Sequence, residues 1–380
     1  MSESTKIPWC DATWNPWRGC SKVNPDCLNC YADAESARNP GILGTWGRNS
    51  PRVVGVESCW SAPLKWDAKA AKSGEPFRVF SLSYGDWLEQ HDGPLHRAAK
   101  VPRGLGPRLG VNVLDGTWGE WAPDISDVDF RPLTLDDCRL RMLDVIRQTQ
   151  HLTWQLLTKR PEAWQATMER LIALARGLDL ANWLTYWING LPPANVWVIA
   201  SAGHQAALDA MAPALQKIPA VVRGISAEPL IGSLDFKDSL GGRCLVCGQI
   251  VPSHIERHEH DGGLHSYPVI NGIDWVVVGG ESGPNARPCD IGWIRSIVAH
   301  CRDAGVPVYV KQLGSNVMTR LDGESWPNHS SGLGPVQFEG DGFGNYHVKG
   351  LKHPKGGDPA EWPKDLRVRE YPKQAKGGQP

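Results

Sequence analysis

Two hydrophobic patterns take turns along this 380-residue chain. Short runs rich in β-branched or aromatic residues lie at 78–82, 152–157, 196–200, 221–225, 275–278 and 306–310. That pattern predicts strands buried on both faces, and a weaker run at 7–14 predicts one more strand before them. Between the runs lie stretches with helical spacing. Residues 135–149 place Cys138, Met142, Val145 and Ile146 on one face, behind Thr134 and Asp137 as a capping pair. Residues 161–174 start with a proline, which a first helical turn tolerates, and gather Trp164, Met168, Leu171 and Ile172. Residues 290–301 gather Ile291, Ile294, Ile297, Val298 and Cys301 in the same way.

Strands alternating with helices imply a parallel sheet covered by helices, an α/β fold. Seven strands in this order fit a partial parallel (β/α) barrel of TIM-barrel type better than a small doubly wound sheet. The chain is long enough for such a barrel with roughly 100 residues to spare. The expected organisation is a barrel over 1–317, interrupted by a Gly/Pro/Trp-rich insertion at about 101–132 and a Cys/His-rich insertion at about 235–271. An irregular C-terminal extension, 318–380, follows. Long irregular pieces of this kind usually form loops, lids or partner surfaces.

Composition narrows the function classes. Forty Lys and Arg against 41 Asp and Glu leave a formal net charge of −1, so binding to nucleic acid or an anionic membrane would need a local basic patch. No stretch approaches the roughly 18 apolar residues that span a bilayer, and the N-terminus lacks the basic start and apolar run of a secretory signal. A cytoplasmic protein with no membrane partner is expected. The eighteen tryptophans serve mostly as packing surface, with Trp87, Trp118 and Trp121 near expected loops as candidates for stacking on an extruded base.

The ten cysteines carry the sharpest chemistry. In a reducing compartment, clustered thiols are ligands or catalysts rather than disulfide partners. Cys138 and Cys301 fall on apolar helix faces and read as core. Cys20, Cys27 and Cys30 crowd into the loop after the first expected strand, where a β/α barrel carries its functional loops. Three thiolates can hold three irons of a 4Fe-4S cluster and leave the fourth iron open. With Cys10 as a fourth ligand they would instead form a closed structural zinc site, and three unrelated thiols is the plainest reading. A second group, Cys244 and Cys247 followed by His254 and His258, has the knuckle and imidazoles of a small zinc site. Zinc there would stabilise an insertion too small to build its own core; a second cluster and no metal are the other readings.

Polar residues just past the strand ends complete the candidate set: Ser83 and Asp86 after the second strand, Lys159 and Arg160 after the third, Glu228 in ISAEPLIG after the fifth. Gly279, Gly280 and Glu281 in VVVGGESGPNARP follow the sixth. Lys159 and Arg160 suit a carboxylate or phosphate, Arg for bidentate contact. Glycines after a strand bring backbone N–H groups near an anion or ribose, or simply make a turn. Glu281 suits a ribose or amino group, and Glu228 a cofactor or the barrel wall. A rim salt bridge or a helix cap accounts equally well for the charged members.

The segments WNPWRGC, CLNCYA, QLLTKRPE, ISAEPLIG, VVVGGESGPNARP, YVKQLG and DLRVREYP together resemble the uncharacterised three-cysteine-motif phage protein family, which is radical S-adenosylmethionine-like. The resemblance spans nearly the whole chain. It implies that Cys20, Cys27 and Cys30 hold a 4Fe-4S cluster whose open iron chelates S-adenosylmethionine, and that the cofactor is cleaved to a 5′-deoxyadenosyl radical. It further implies Ser83 and Asp86 as groups for the methionine amino end, and Tyr31 as a ring over cluster or adenine unless it is an ordinary helix-start aromatic. An electron donor such as flavodoxin or ferredoxin is implied, and a nucleic-acid base or nucleotide as substrate, as in phage DNA modification. Six residues separate Cys20 from Cys27, where radical enzymes usually have three; the Cys27/Cys30 spacing agrees. The competing readings are a zinc-stabilised nucleic-acid-binding or phage accessory protein without redox chemistry, and a radical DNA-repair-like lyase.

Overall fold

The seven strands of the main sheet are β1 (Ala12–Thr13), β2 (Phe77–Ser81), β3 (Leu152–Thr158), β4 (Val196–Ser201), β5 (Val222–Leu230), β6 (Trp275–Gly280) and β7 (Val308–Gln312). They come from a computed structural model that describes residues 5–100, 104–112, 117–120, 130–236, 239–244, 250–251, 257–259, 266–270, 272–320, 337–340 and 345–373. The strands are parallel, and their order across the sheet is their order along the chain. A doubly wound sheet reverses direction at a switch point; this one never does, which makes it a partial (β/α) barrel. All seven expected runs are strands. The apolar character of β4 and β6 follows from burial on both faces: every residue of the two strands is buried.

The described residues divide into two compact units, Met1–Trp197 with Ile218–Ala220, and Val198–Lys217 with Val221–Pro380. In the first, β1 pairs with β2 (Ala12↔Val79) and β2 with β3 (Phe77↔Leu152). Its helices include α1 (Tyr31–Ser36), α2 (Ala62–Ser73), α3 (Leu135–Gln148), α4 (Trp164–Leu174) and α5 (Asp179–Ile188). The capping box expected at α3 is present: Thr134 Oγ1 accepts from Asp137 N at 3.3 Å, and Asp137 Oδ2 accepts from Thr134 N at 2.9 Å. Cys138, Met142, Val145 and Ile146 all face the core.

Tryptophans fill this unit. Trp14 lies 5.8 Å from Trp60 and 5.1 Å from Trp154, ring to ring. Trp87 is fully buried and stacks on Trp187 at 6.5 Å, so the stacking platform expected at Trp87 is a core contact. Trp118 meets Trp60 edge-on at 5.5 Å, with the Arg141 guanidinium 5.1 Å from its ring, and is likewise engaged in packing. Trp121 lies outside the described residues.

In the second unit β5 pairs with β6 (Gly224↔Trp275) and β6 with β7 (Val276↔Val308), and helices α6 (Gln205–Gln216) and α7 (Ile291–Asp303) belong here. The free edge of β7 is covered by segment 366–371. Val310 N donates to Val368 O at 2.9 Å and Glu370 N to Val308 O at 3.0 Å, while Tyr371 stacks on Trp275 at 5.8 Å.

Smaller sheets occupy the segments read as irregular. Leu109–Asn112, Trp118–Glu120 and Phe130–Pro132 form one of three strands. Gly242–Cys244, Ile250–Val251, Arg257–Glu259 and Ser266–Ile270 form one of four, and Val317–Arg320, Gln337–Gly340 and Asn345–Lys349 join Cys289–Asp290 in another. Strands of two to five residues are too short for a period-two pattern to stand out.

Candidate functional site

The three-cysteine loop leaves β1 and is tied at once to the segment that follows β2. Asn15 Nδ2 donates to Ser83 Oγ at 2.9 Å, and its Oδ1 accepts from Tyr84 N at 2.8 Å. Trp17–Arg18 then pairs antiparallel with Arg52–Val54. Gly19 donates its N–H to Tyr84 O at 2.8 Å with φ +109°, and a Cβ there would stand 2.8 Å from Thr45 O. Only glycine fits that approach immediately before the first cysteine.

Cys27 ends a 3-10 turn, Pro25–Cys27, whose N-cap Asn24 accepts from Asp26 N at 3.1 Å. Cys30 is the N-cap residue of α1. All three thiols are unbridged and half-buried. The remaining cysteines near the sequence start are turned elsewhere: Cys10 Sγ donates to Ile7 O at 3.7 Å and Cys59 Sγ to Asn15 O at 3.6 Å. Cys10 precedes β1, whereas the three-cysteine loop follows it.

Cys20 is the most firmly held of the three. Arg160, just past β3, brings Nη1 to 3.8 Å from Cys20 Sγ and 2.8 Å from Asp86 Oδ2, while its Nη2 donates to Ser21 O at 2.8 Å and Ser21 Oγ at 2.9 Å. Asp86 also accepts from Leu88 N (3.0 Å), Thr158 Oγ1 (2.7 Å) and Lys159 N (2.9 Å). Ser21 Oγ donates to Glu89 at 2.7 Å, and Glu89 takes two bonds from Arg52, at 2.9 and 3.0 Å. Segments following β1, β2 and β3 thus meet at Cys20, as the loops of a barrel's C-terminal face should.

Burial pushes the Cys20 thiol up, with Glu89 and Asp86 acting in the same direction and Arg160 against it. Burial also raises Cys30, partly offset by the backbone N–H groups of Asp33 and Ala32. Burial thus biases both thiols towards the protonated form.

Other expected residues have clear partners. Tyr31 is half-exposed; its hydroxyl donates to Ser83 O at 3.0 Å and its ring meets Tyr84 edge-on at 5.9 Å. Tyr84 in turn donates to Glu35, latching α1 onto the segment after β2. In the second unit Glu228 forms an ion pair with Lys311, and its carbonyl accepts from Ser201 Oγ at 3.0 Å. Glu281 is buried and gripped by Arg287 through Nε at 3.0 Å and Nη2 at 2.7 Å. Gly279 and Gly280 lie within β6, and a Cβ on Gly280 would stand 2.2 Å from Leu313 O, so this glycine admits the neighbouring chain.

The structure therefore gathers Cys20, Asp86 and Arg160, and separately pairs Glu228 with Lys311 and Glu281 with Arg287. Arg52, Glu89 and Ser21 were not singled out from sequence; a lone arginine opening the apolar run RVV is the signal that marks Arg52. Cys247 and His254 lie outside the described residues, as do the side chains of Cys244 and His258.

Among the described residues no group of three or more His, Cys, Asp or Glu side chains is gathered so as to hold a metal ion. A 4Fe-4S cluster makes a different demand, since each thiolate binds its own iron. Cys20, Cys27 and Cys30 are three unbridged thiols on one loop.

Fold and loop define a partial (β/α)-barrel protein with a three-thiol loop after its first strand. The chain belongs to the family described as "Protein of unknown function (DUF5131)", which it matches over residues 4–101 and 122–370. No curated protein and no solved structure matches it. Among the described residues no helix is long and apolar enough to cross a membrane.

Proposed function

We propose that this protein is a radical S-adenosylmethionine enzyme with a 4Fe-4S cluster on Cys20, Cys27 and Cys30. The observation that carries the reading is the set of three unbridged, half-buried thiols on a single loop after β1, with Cys20 held from the segments after β2 and β3. When bound, the cluster supplies the electron that cleaves S-adenosylmethionine to methionine and a 5′-deoxyadenosyl radical. The chain's own residues hold and shield. Asp86 and Arg160 fix the Cys20 segment, and Tyr31 offers a half-exposed ring directly after Cys30. Because Asp86, Glu228 and Glu281 are already ion-paired, they support walls and loops in this reading unless cofactor exchanges their partners.

The resemblance to three-cysteine-motif phage proteins favours a nucleic-acid base or nucleotide as substrate, in DNA modification, and a flavodoxin or ferredoxin as reductant. A zinc on Cys244 and Cys247, with His254 and His258, accompanies this reading as a separate structural site.

The test is anaerobic reconstitution, metal and sulfide analysis, and chromatography of the quenched reaction with S-adenosylmethionine and dithionite. About four irons per chain and formation of 5′-deoxyadenosine are expected. An iron-free protein containing zinc would replace this reading with a zinc-stabilised nucleic-acid-binding protein. A loaded cluster that never cleaves the cofactor would make it an electron carrier.

A further inference from the structure

We propose that Arg160 is a positioning residue that donates a hydrogen bond to the Cys20 thiolate and raises the reduction potential of the cluster. The inference rests on the cluster reading above and adds an asymmetry between two of its corners, Cys20 and Cys27. Cys20 has a guanidinium 3.8 Å from its sulfur. Cys27 faces the neutral Asn24 side chain at 3.7 Å.

The guanidinium is oriented by the chain's own groups. Nη1 is shared between Asp86 and Cys20, Nη2 is held by the carbonyl and hydroxyl of Ser21, and the backbone N–H of Arg160 donates to Thr158 Oγ1 at 2.9 Å. The side chain is about nine-tenths buried, so solvent screens it weakly. Reducing a cluster places extra negative charge on its sulfurs. A fixed cationic N–H donor stabilises that state more than the oxidised one, and hydrogen bonds to sulfur and local charge are two of the levers that set cluster potential. Asp86 at 2.8 Å and Glu89 at 3.5 Å from the same guanidinium oppose it. The two sides of the ion pair should therefore act on the potential with opposite signs.

That opposition separates an electrostatic role from a merely structural one. Wild type, Arg160→Lys, Arg160→Met and Asp86→Asn are reconstituted anaerobically, iron and sulfide are quantified, and the midpoint potential is read by an EPR-monitored titration. Arg160→Met should become more negative than wild type and Asp86→Asn more positive. Arg160→Lys should fall between wild type and Arg160→Met, because lysine keeps the charge without the fork. Should Arg160→Met fail to hold iron, Asp86→Asn decides, since it retains Arg160: an unmoved or lowered potential overturns the inference. Loaded variants that share the wild-type potential overturn it while the cluster reading stands. A wild-type protein that takes up no iron overturns the cluster reading itself, and this inference with it.

Discussion

Arg52 and Glu89 face each other at 2.9 Å with both side chains shut off from solvent, 0% and 1% exposed. Arg52 also donates to the carbonyls of Thr45, Gly47 and Ser50, so one guanidinium gathers the chain around Cys20. Removing one partner strands a buried charge. Glu89→Gln should cost about 3–5 kcal/mol in urea unfolding, and Arg52→Met/Glu89→Met together should cost less than Glu89→Gln alone. Equal losses would show that packing, and not the pair, is what matters here.

Each of Cys20→Ala, Cys27→Ala and Cys30→Ala should remove most of the reconstituted iron, because each thiolate holds its own iron. Cys10→Ala should keep it, since that sulfur is directed at Ile7 O. Full iron and sulfide in the Cys27→Ala protein would count against the cluster assignment.

A pH effect is expected from the second unit. Asp274 accepts from Arg223 N at 2.7 Å, and burial pushes its carboxyl up to about 6 despite the opposing Arg223. The folded value lies above the unfolded value of about 3.9, so the protonated form favours folding. This stability is fully present below about pH 4 and is lost as pH rises through about 6, with a magnitude on the order of 2–3 kcal/mol. Asp274→Asn keeps an acceptor for the Arg223 N–H and should flatten the urea stability profile across that window relative to wild type. Parallel profiles would show that the carboxyl titrates normally.

If Trp87 is a core residue, Trp87→Ala should destabilise the protein by about 3–5 kcal/mol. Denaturant unfolding monitored by circular dichroism reads this directly. A loss under about 1 kcal/mol would restore an exposed stacking role.

Metal analysis tests the insertion separately. Cys244→Ser/Cys247→Ser should lose about one zinc per chain and leave iron unchanged. Wild-type protein without zinc would remove the knuckle.

How much of this was legible depends on which burial pattern each element has. Strands buried on both faces announce themselves as short runs rich in β-branched and aromatic residues, and α3 carries both a capping pair and a wide apolar stripe. Helix α2 was missed because its buried stripe is only Ala62, Pro63, Trp66 and Ala70 among lysines. Helix α5 starts behind Leu178 with no side-chain cap, and α6 contains Pro213. Cysteine spacing exposed the candidate loop, but the Arg52–Glu89 pair joins residues 37 apart and has no local signature. Strand-end positions of Asp86, Glu228 and Glu281 were readable. That each carboxylate is taken by Arg160, Lys311 or Arg287 was not, because position along a strand does not reveal a side chain's partner.

The cover that segment 366–371 lays over β7 bears on how this protein is made. A barrel that stops at seven strands keeps edges that a closed one abolishes, and an apolar edge carrying Val308 and Val310 is a template for another chain. Until residue 370 has left the ribosome, that edge is open. Chains cut before 366 should therefore precipitate even though every cysteine is present, and clipping in this stretch would register first as loss of soluble protein rather than as loss of bound iron.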